Sequence, residues 1–123
     1  MSKKNDTGKA GEAAACSYLR ECGYTILQTN WRFHRYELDI VAANGGELVV
    51  VEVKTRAEDY LVSPEKSVGH SKIRRIAAAA DAYVQKYGVA LPVRFDVISL
   101  TQNGQTCKVF EHIEDAFLAP VNR

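Results

Sequence analysis

Asp39, Glu52 and Lys54 are the residues of this chain best placed to do chemistry. Asp39 closes an E-x-D step that begins at Glu37, and Glu52-Val53-Lys54 follows about a dozen residues later. Between them stands Asn44-Gly45-Gly46, a strong hairpin-turn signal. The flanking runs, Leu38 to Ala43 and Glu47 to Thr55, read as strands. A turn at Asn44-Gly45 sets Asp39 opposite Val50, and one at Gly45-Gly46 sets it opposite Glu52. In either register Asp39 shares a face with Glu52, and Lys54 joins them because strand side chains repeat every two residues. A three-residue loop would break this arrangement.

Two carboxylates gathered beside one ammonium invite a divalent cation, since like charges in one place otherwise force a carboxylate to take up a proton. Carboxylate oxygens suit Mg²⁺ or Mn²⁺, which would complete its shell with water and phosphate. Lys54 would then orient or deprotonate an attacking water, or stabilise charge developing on phosphorus. The alternative is a solvated cross-strand ladder of ion pairs with no catalytic role. Spacing alone leaves both open.

The elements that must position these groups follow from periodicity. Thr7 to Cys22 reads as a helix, with Asp6 or Thr7 as its cap and Gly23 where a left-handed terminator is wanted. Glu12 precedes Ala15, Cys16 and Leu19 by three, four and seven residues, so it falls on the dry stripe of that helix. A first-turn glutamate favoured by the helix dipole is the plainer explanation of the same residue. Tyr24 to Arg32 reads as a strand. Leu48-Val49-Val50-Val51 suggests a strand buried on both faces.

Arg56 to His70 reads as a loop with a short helical turn after Pro64. A second helix covers Ser71 to Tyr87, with Ile73, Ile76, Ala77, Ala80 and Val84 as its apolar stripe and Gly88 at its end. Val93 to Thr101 and Cys107 to His112 are two more strands joined at Asn103-Gly104. The order αβββαββ predicts an α/β layered domain. It is read as one domain over residues 1–123, with a core of about 7–112 between a short flexible N-terminus and a C-terminal tail.

Trp31-Arg32-Phe33-His34-Arg35-Tyr36 interleaves aromatic and basic residues just before the acidic site. Such a stretch can stack bases and hold phosphates, or it can be a strand with Trp31 and Phe33 in the core. Arg32, Arg35, Arg56, Lys72 and Arg75 are the candidate phosphate contacts, and Arg74 lies beside the last two. His34, His70 and His112 lack ligand-like spacing. Asp96, inside an apolar run, reads as structural and paired with an arginine. Tyr18, Tyr24, Tyr83 and Tyr87 read as packing residues.

With 123 residues, 46% hydrophobic and 25% charged, the chain can bury a core without cross-links. Three cysteines with no CxxC spacing predict reduced thiols and a cytoplasmic location. The opening MSKKNDTGK is polar and no run is long enough to cross a membrane, so neither a signal peptide nor a membrane role is expected. A net charge of +1 shows no bulk basicity, so any nucleic-acid surface must come from local clustering.

GKAGEAAACSYL, NWRFHRYELDIVA, LVVVEVKTR and RFDVISL together resemble the YraN-like family of small bacterial proteins, from about Gly8 to Leu100. That resemblance implies the restriction-endonuclease-like, PD-(D/E)xK fold, a mixed sheet flanked by helices, and kinship with archaeal Holliday-junction resolvases. It implies Asp39, Glu52 and the Val53 carbonyl as metal ligands, Lys54 as the catalytic lysine and Glu12 as the helical acid. It further implies a Mg²⁺- or Mn²⁺-dependent endonuclease acting on DNA, including branched DNA, and a homodimer. Two residues depart from the family pattern. Tyr36 stands where glycine is usual, which narrows the entry to the site, and Ile73 stands where glutamine is common, which removes a polar contact to it. The competing readings are a nucleic-acid-binding module without catalysis and a structural or partner-binding domain.

Overall fold

Gly45 and Gly46 form the turn that sets the register of the central hairpin. Both have positive φ, 58° and 83°, as a two-residue turn of this kind requires. The strands they join are β2, Tyr36–Asn44, and β3, Glu47–Ala57. Their pairing runs from Asn44↔Glu47 to Ile40↔Val51. Of the two turns compatible with the sequence, this is the one that sets Asp39 across from Glu52.

The computed structural model of the protein describes residues 3–57, 69–104 and 106–118. Helix α1, Lys3–Glu21, precedes strand β1, Thr25–Phe33. After β3 come α2, His70–Tyr87, then β4, Val93–Asn103, and β5, Thr106–Ile113. The five strands form one sheet in the order β1-β2-β3-β4-β5. The β3–β4 pair is parallel and the others are antiparallel. A parallel pair needs a crossover, and α2 lies in the connection. The result is a mixed α/β fold with two helices and a five-stranded mixed sheet, in the element order expected.

Each face of the sheet has its own core. Ala15, Cys16 and Leu19 of α1 pack on Ile40, Ala42, Val49, Val51, Ile98 and Leu100. Ile76, Ala79, Ala80 and Tyr83 of α2 pack on Trp31, Leu38, Val41, Val50 and Phe95. The valine run of β3 is therefore divided between both cores, as its composition implies. Each such aliphatic side chain contributes about 1.5–3 kcal/mol when fully buried.

Several expectations need correction. Helix α1 begins at Lys3, so Asp6 and Thr7 lie within it rather than capping it. Its C-terminus behaves as expected: Gly23 has φ 92°. The Tyr24 N–H donates to the Leu19 carbonyl and the Gly23 N–H to that of Arg20. Strand β1 continues past Arg32 to Phe33, which pairs with Tyr36, so His34 and Arg35 form a tight turn. In α2 the buried stripe is Ile76, Ala79, Ala80 and Tyr83, a rotation from the expected Ile73, Ala77 and Val84, which are only half-buried. Pairing of Asn103 with Thr106 puts Gly104, φ 64°, at the first turn position. The expected turn after Pro64 lies outside the described residues.

Candidate active site

Strand β2 parts from β3 at the acidic residues. The β2–β3 ladder ends at Ile40↔Val51. Yet β2 remains paired with β1 out to Tyr36, and β3 with β4 out to Ala57. A gap therefore opens inside the sheet, with Asp39 on one bank and Glu52, Val53 and Lys54 on the other. The Val53 N–H donates to Asp39 Oδ2 at 2.8 Å instead of to the opposing backbone. A strand residue directs its N–H and C=O to the same side, so the Val53 carbonyl also faces the gap.

Strict alternation fails at this point. Leu38 belongs to the core beneath α2, while Ile40 belongs to the core beneath α1. Strand β2 changes face across Asp39, and the Asp39 carboxylate sits at the level of the sheet. From there it meets charges on both faces. Glu52, on the α2 side, is only 5% exposed. Its Oε2 pairs with Lys54 Nζ at 3.3 Å and also with Lys72 Nζ from the first turn of α2. Burial and the neighbouring Glu52 carboxylate push the Asp39 carboxyl up to about 8. Burial, then Lys72, lowers the Lys54 ammonium below its ordinary value. For Lys72 burial acts in the same lowering sense, but the bond to Glu52 outweighs it and the pKa rises.

Glu12 approaches from the α1 side. Gly11 makes that approach possible, because a Cβ there would lie 2.1 Å from Thr55 Oγ1. Asn30 Nδ2 donates to Glu12 Oε1 at 2.5 Å. Burial raises the Glu12 pKa, the Asn30 bond opposes that rise, and Glu37 adds to it. Glu12 also contributes repulsion at Asp39. Its place on the dry stripe thus coincides with a place beside the gap.

The other expected contacts divide. Lys72 is part of the acidic site itself. Arg32 is exposed and pairs with Glu37 at 3.4 Å. Arg35, Arg74 and Arg75 are exposed, and Arg56 is half-buried beyond Lys54 on β3. Trp31 is not a stacking platform: it packs edge-on against Tyr83, with ring centroids 5.2 Å apart. The sequence reading missed Asn30 altogether, and it gave Lys72 as a phosphate contact rather than as a partner of Glu52. Asn30 carried no signal beyond its neighbourhood. The place of Lys72 was legible, since it stands four residues before Ile76 and seven before Ala79, on the buried stripe of α2.

Asp96 is structural, as expected. Its fully buried carboxylate takes two bonds from Arg94, at 2.9 Å each, and the Asp115 N–H at 3.0 Å. It also meets His112 Nε2 at 2.7 Å. Tyr18 and Tyr24 do more than pack, since their hydroxyls bond His112 and Arg94. Burial alone would raise the Asp96 pKa, but His112, Arg94 and the Asp115 N–H together hold it below the ordinary range.

Among the described residues no group of three or more His, Cys, Asp or Glu forms a metal site. The groups able to hold a cation are Asp39, Glu52 and the Val53 carbonyl. Two carboxylates and one carbonyl suit a hard divalent ion that keeps waters of its own. Asp39, buried beside a second carboxylate, is a group whose ionised form such a charge would stabilise. The donor set fits.

Residues 11–100 match a family described as "Uncharacterised protein family UPF0102". A UPF0102 protein of Parabacteroides distasonis is 55% identical over 120 residues, covering 98% of each chain. One of Bacteroides thetaiotaomicron is 46% identical, over 98% of this chain and 99% of that protein. One of Flavobacterium psychrophilum is 41% identical, over 95% and 98%. No helix among the described residues is long and apolar enough to cross a membrane.

Proposed function

The chain belongs to the UPF0102 family, and we propose that it is a Mg²⁺- or Mn²⁺-dependent endonuclease that hydrolyses DNA phosphodiester bonds. The observation that supports this reading is the parting of β2 from β3, which gathers Asp39, Glu52, the Val53 carbonyl and Lys54 around one gap. A mixed sheet with a helix core on each face accords with the restriction-endonuclease-like architecture that the sequence resembles.

Asp39, Glu52 and the Val53 carbonyl would hold the ion. When bound, it would supply positive charge at the phosphoryl oxygens and lower the pKa of a bound water. Lys54, whose proton burial loosens, is suited to orient the attacking water and to stabilise charge on a non-bridging oxygen. Lys72 pairs with Glu52 and would be available to a phosphate if that carboxylate held an ion. Glu12 adds a carboxylate on the other face. Arg35, Arg56 and Arg75 are the candidate contacts to the flanking DNA backbone.

The test is a cleavage panel of linear, flapped and four-way DNA with Mg²⁺ or Mn²⁺. Metal-dependent cleavage that Asp39→Asn abolishes is expected. A preference for four-way DNA would call for paired sites, hence a dimer by light scattering.

One observation favours a second reading. Glu52 already has two lysine partners, so the cluster neutralises itself without an ion. On that reading the protein binds nucleic acid without cutting it, and salt-sensitive DNA retention without turnover would establish it. Absence of both would leave a structural or partner-binding domain.

A further inference from the structure

Asn30 occupies a backbone conformation out of keeping with its strand. Its φ is 52°, inside β1. Among the described residues the other non-glycine ones with positive φ, His34 and Asp115, lie outside the strands. Left-handed backbone is unfavourable for most side chains, and asparagine is among the few that tolerate it. The neighbours Thr29↔Ile40 and Trp31↔Leu38 are paired, so the register places Asn30 across from Asp39. This is the position at which β2 changes face. From it, Nδ2 donates to the Glu12 carboxylate.

We propose that Asn30 is a positioning residue of the candidate active site: from its left-handed position opposite Asp39, its amide holds the Glu12 carboxylate of α1 against the gap between β2 and β3. The proposal rests on the nuclease reading above. Two requirements meet at this one residue. The backbone wants a residue that accepts positive φ, and Glu12 wants a donor. Glycine meets the first and lacks the second. Aspartate tolerates the conformation but would turn a carboxylate toward a carboxylate. Asparagine meets both. Among the described residues, the other tie of Glu12 to the sheet is its own helix, whose approach is set by Gly11 against Thr55. The amide bond therefore fixes where the acid points, while the packing fixes how near it comes.

The experiment compares Asn30→Gly, which keeps the backbone conformation and removes the donor, with Asn30→Asp, which keeps the shape and reverses the polarity. Single-turnover cleavage and Mn²⁺ affinity are read for both, beside Glu12→Gln and the Asn30→Gly/Glu12→Gln double variant. Thermal unfolding verifies that each is folded. Loss of a group that orients a metal-site carboxylate typically costs about 10–100-fold in affinity or rate. Both Asn30 variants should lose that much, with DNA affinity unchanged. The double variant should be no slower than Glu12→Gln, because the amide acts only through that carboxylate. Wild-type rate and Mn²⁺ affinity in folded Asn30→Gly would overturn the proposal and leave the nuclease reading intact. Multiplying losses in the double variant would overturn it too. If wild type cuts no DNA, the nuclease reading fails. Mn²⁺ affinity then still decides the role of Asn30: weakening in both variants supports it, and no change or no Mn²⁺ binding by wild type overturns it.

Discussion

Replacing Asp39 by asparagine should stabilise the metal-free protein while destroying its response to metal. Burial and Glu52 raise the folded-state pKa of Asp39 to about 8. An unfolded aspartate titrates near 3.9. The folded state therefore binds this proton more tightly than the unfolded chain does. Near neutrality the unfolded chain has released the proton and the folded one has not. The resulting penalty is absent below about pH 4, grows as pH rises, and levels off once pH passes about 8. At pH 7 it spans about three pKa units, a ceiling of about 4 kcal/mol at 1.36 kcal/mol per unit. Asparagine carries no titrating proton and its carbonyl can still accept the Val53 N–H. It must also sit in a polar, partly desolvated place, so a net gain of about 1–3 kcal/mol is expected. That corresponds to a Tm rise of about 3–15 °C for a chain of this length. Saturating Mn²⁺, at about 100 times its Kd, should stabilise wild type by about 2.7 kcal/mol and the variant by far less. The assay is thermal unfolding at pH 5, 7 and 9, with and without Mn²⁺. Its gain over wild type should be smallest at pH 5. A variant less stable than wild type at pH 7, or equally stabilised by Mn²⁺, would refute the assignment of Asp39 as a buried acid awaiting a cation.

Four further outcomes are expected. Lys54→Ala should slow single-turnover cleavage by about 10²–10³-fold while preserving or increasing Mn²⁺ binding, because it removes an electrostatic group that is not a ligand and that pairs with Glu52; Lys72→Ala should tighten Mn²⁺ binding, read by calorimetry, because Glu52 loses a competing partner. Gly11→Ala should cost about 1–3 kcal/mol in denaturant unfolding through its clash with Thr55 Oγ1, and Thr55→Ala should recover much of that loss. Asp96→Asn should cost about 1–3 kcal/mol at pH 7, since it weakens the charge-assisted bonds from Arg94 while Glu47 and Glu114 still pair with that guanidinium. Asp96 is held below its ordinary pKa, so its contribution is full above about pH 4 and fades as pH falls through the folded-state value; wild type and variant should converge in acid denaturation.

Periodicity made the elements legible because each helix and strand writes its own repeat into adjacent residues. The order αβββαββ, a hairpin turn within Asn44-Gly45-Gly46, the left-handed ends at Gly23 and Gly88 and the double burial of β3 all follow from such local rules. So does the candidacy of Asp39, Glu52 and Lys54. Helix α2 shows the limit: two adjacent stripes both fit its alanine-rich sequence, and only packing on Trp31 and Phe95 chose the one that carries Lys72.

The sequence by itself determined which residues could ionise, which segments would be strands and helices, and which glycines would turn the chain. The tertiary structure decided who meets whom. Parity put Asp39 on one face with Glu52, yet β2 twists across Asp39 and lodges its carboxylate in the sheet, open to both faces. Lys72 reaches Glu52 from α2, and Asn30 reaches Glu12 on α1. These partners stand 20 and 18 residues apart along the chain. Each pair joins two different elements, and a repeat of two or 3.6 residues orders side chains only within one. The contact between α1 and β3 at Gly11 and Thr55, and the end of the β2–β3 ladder at Ile40, depend on how whole elements pack, and that is settled only when the chain has closed around its two cores.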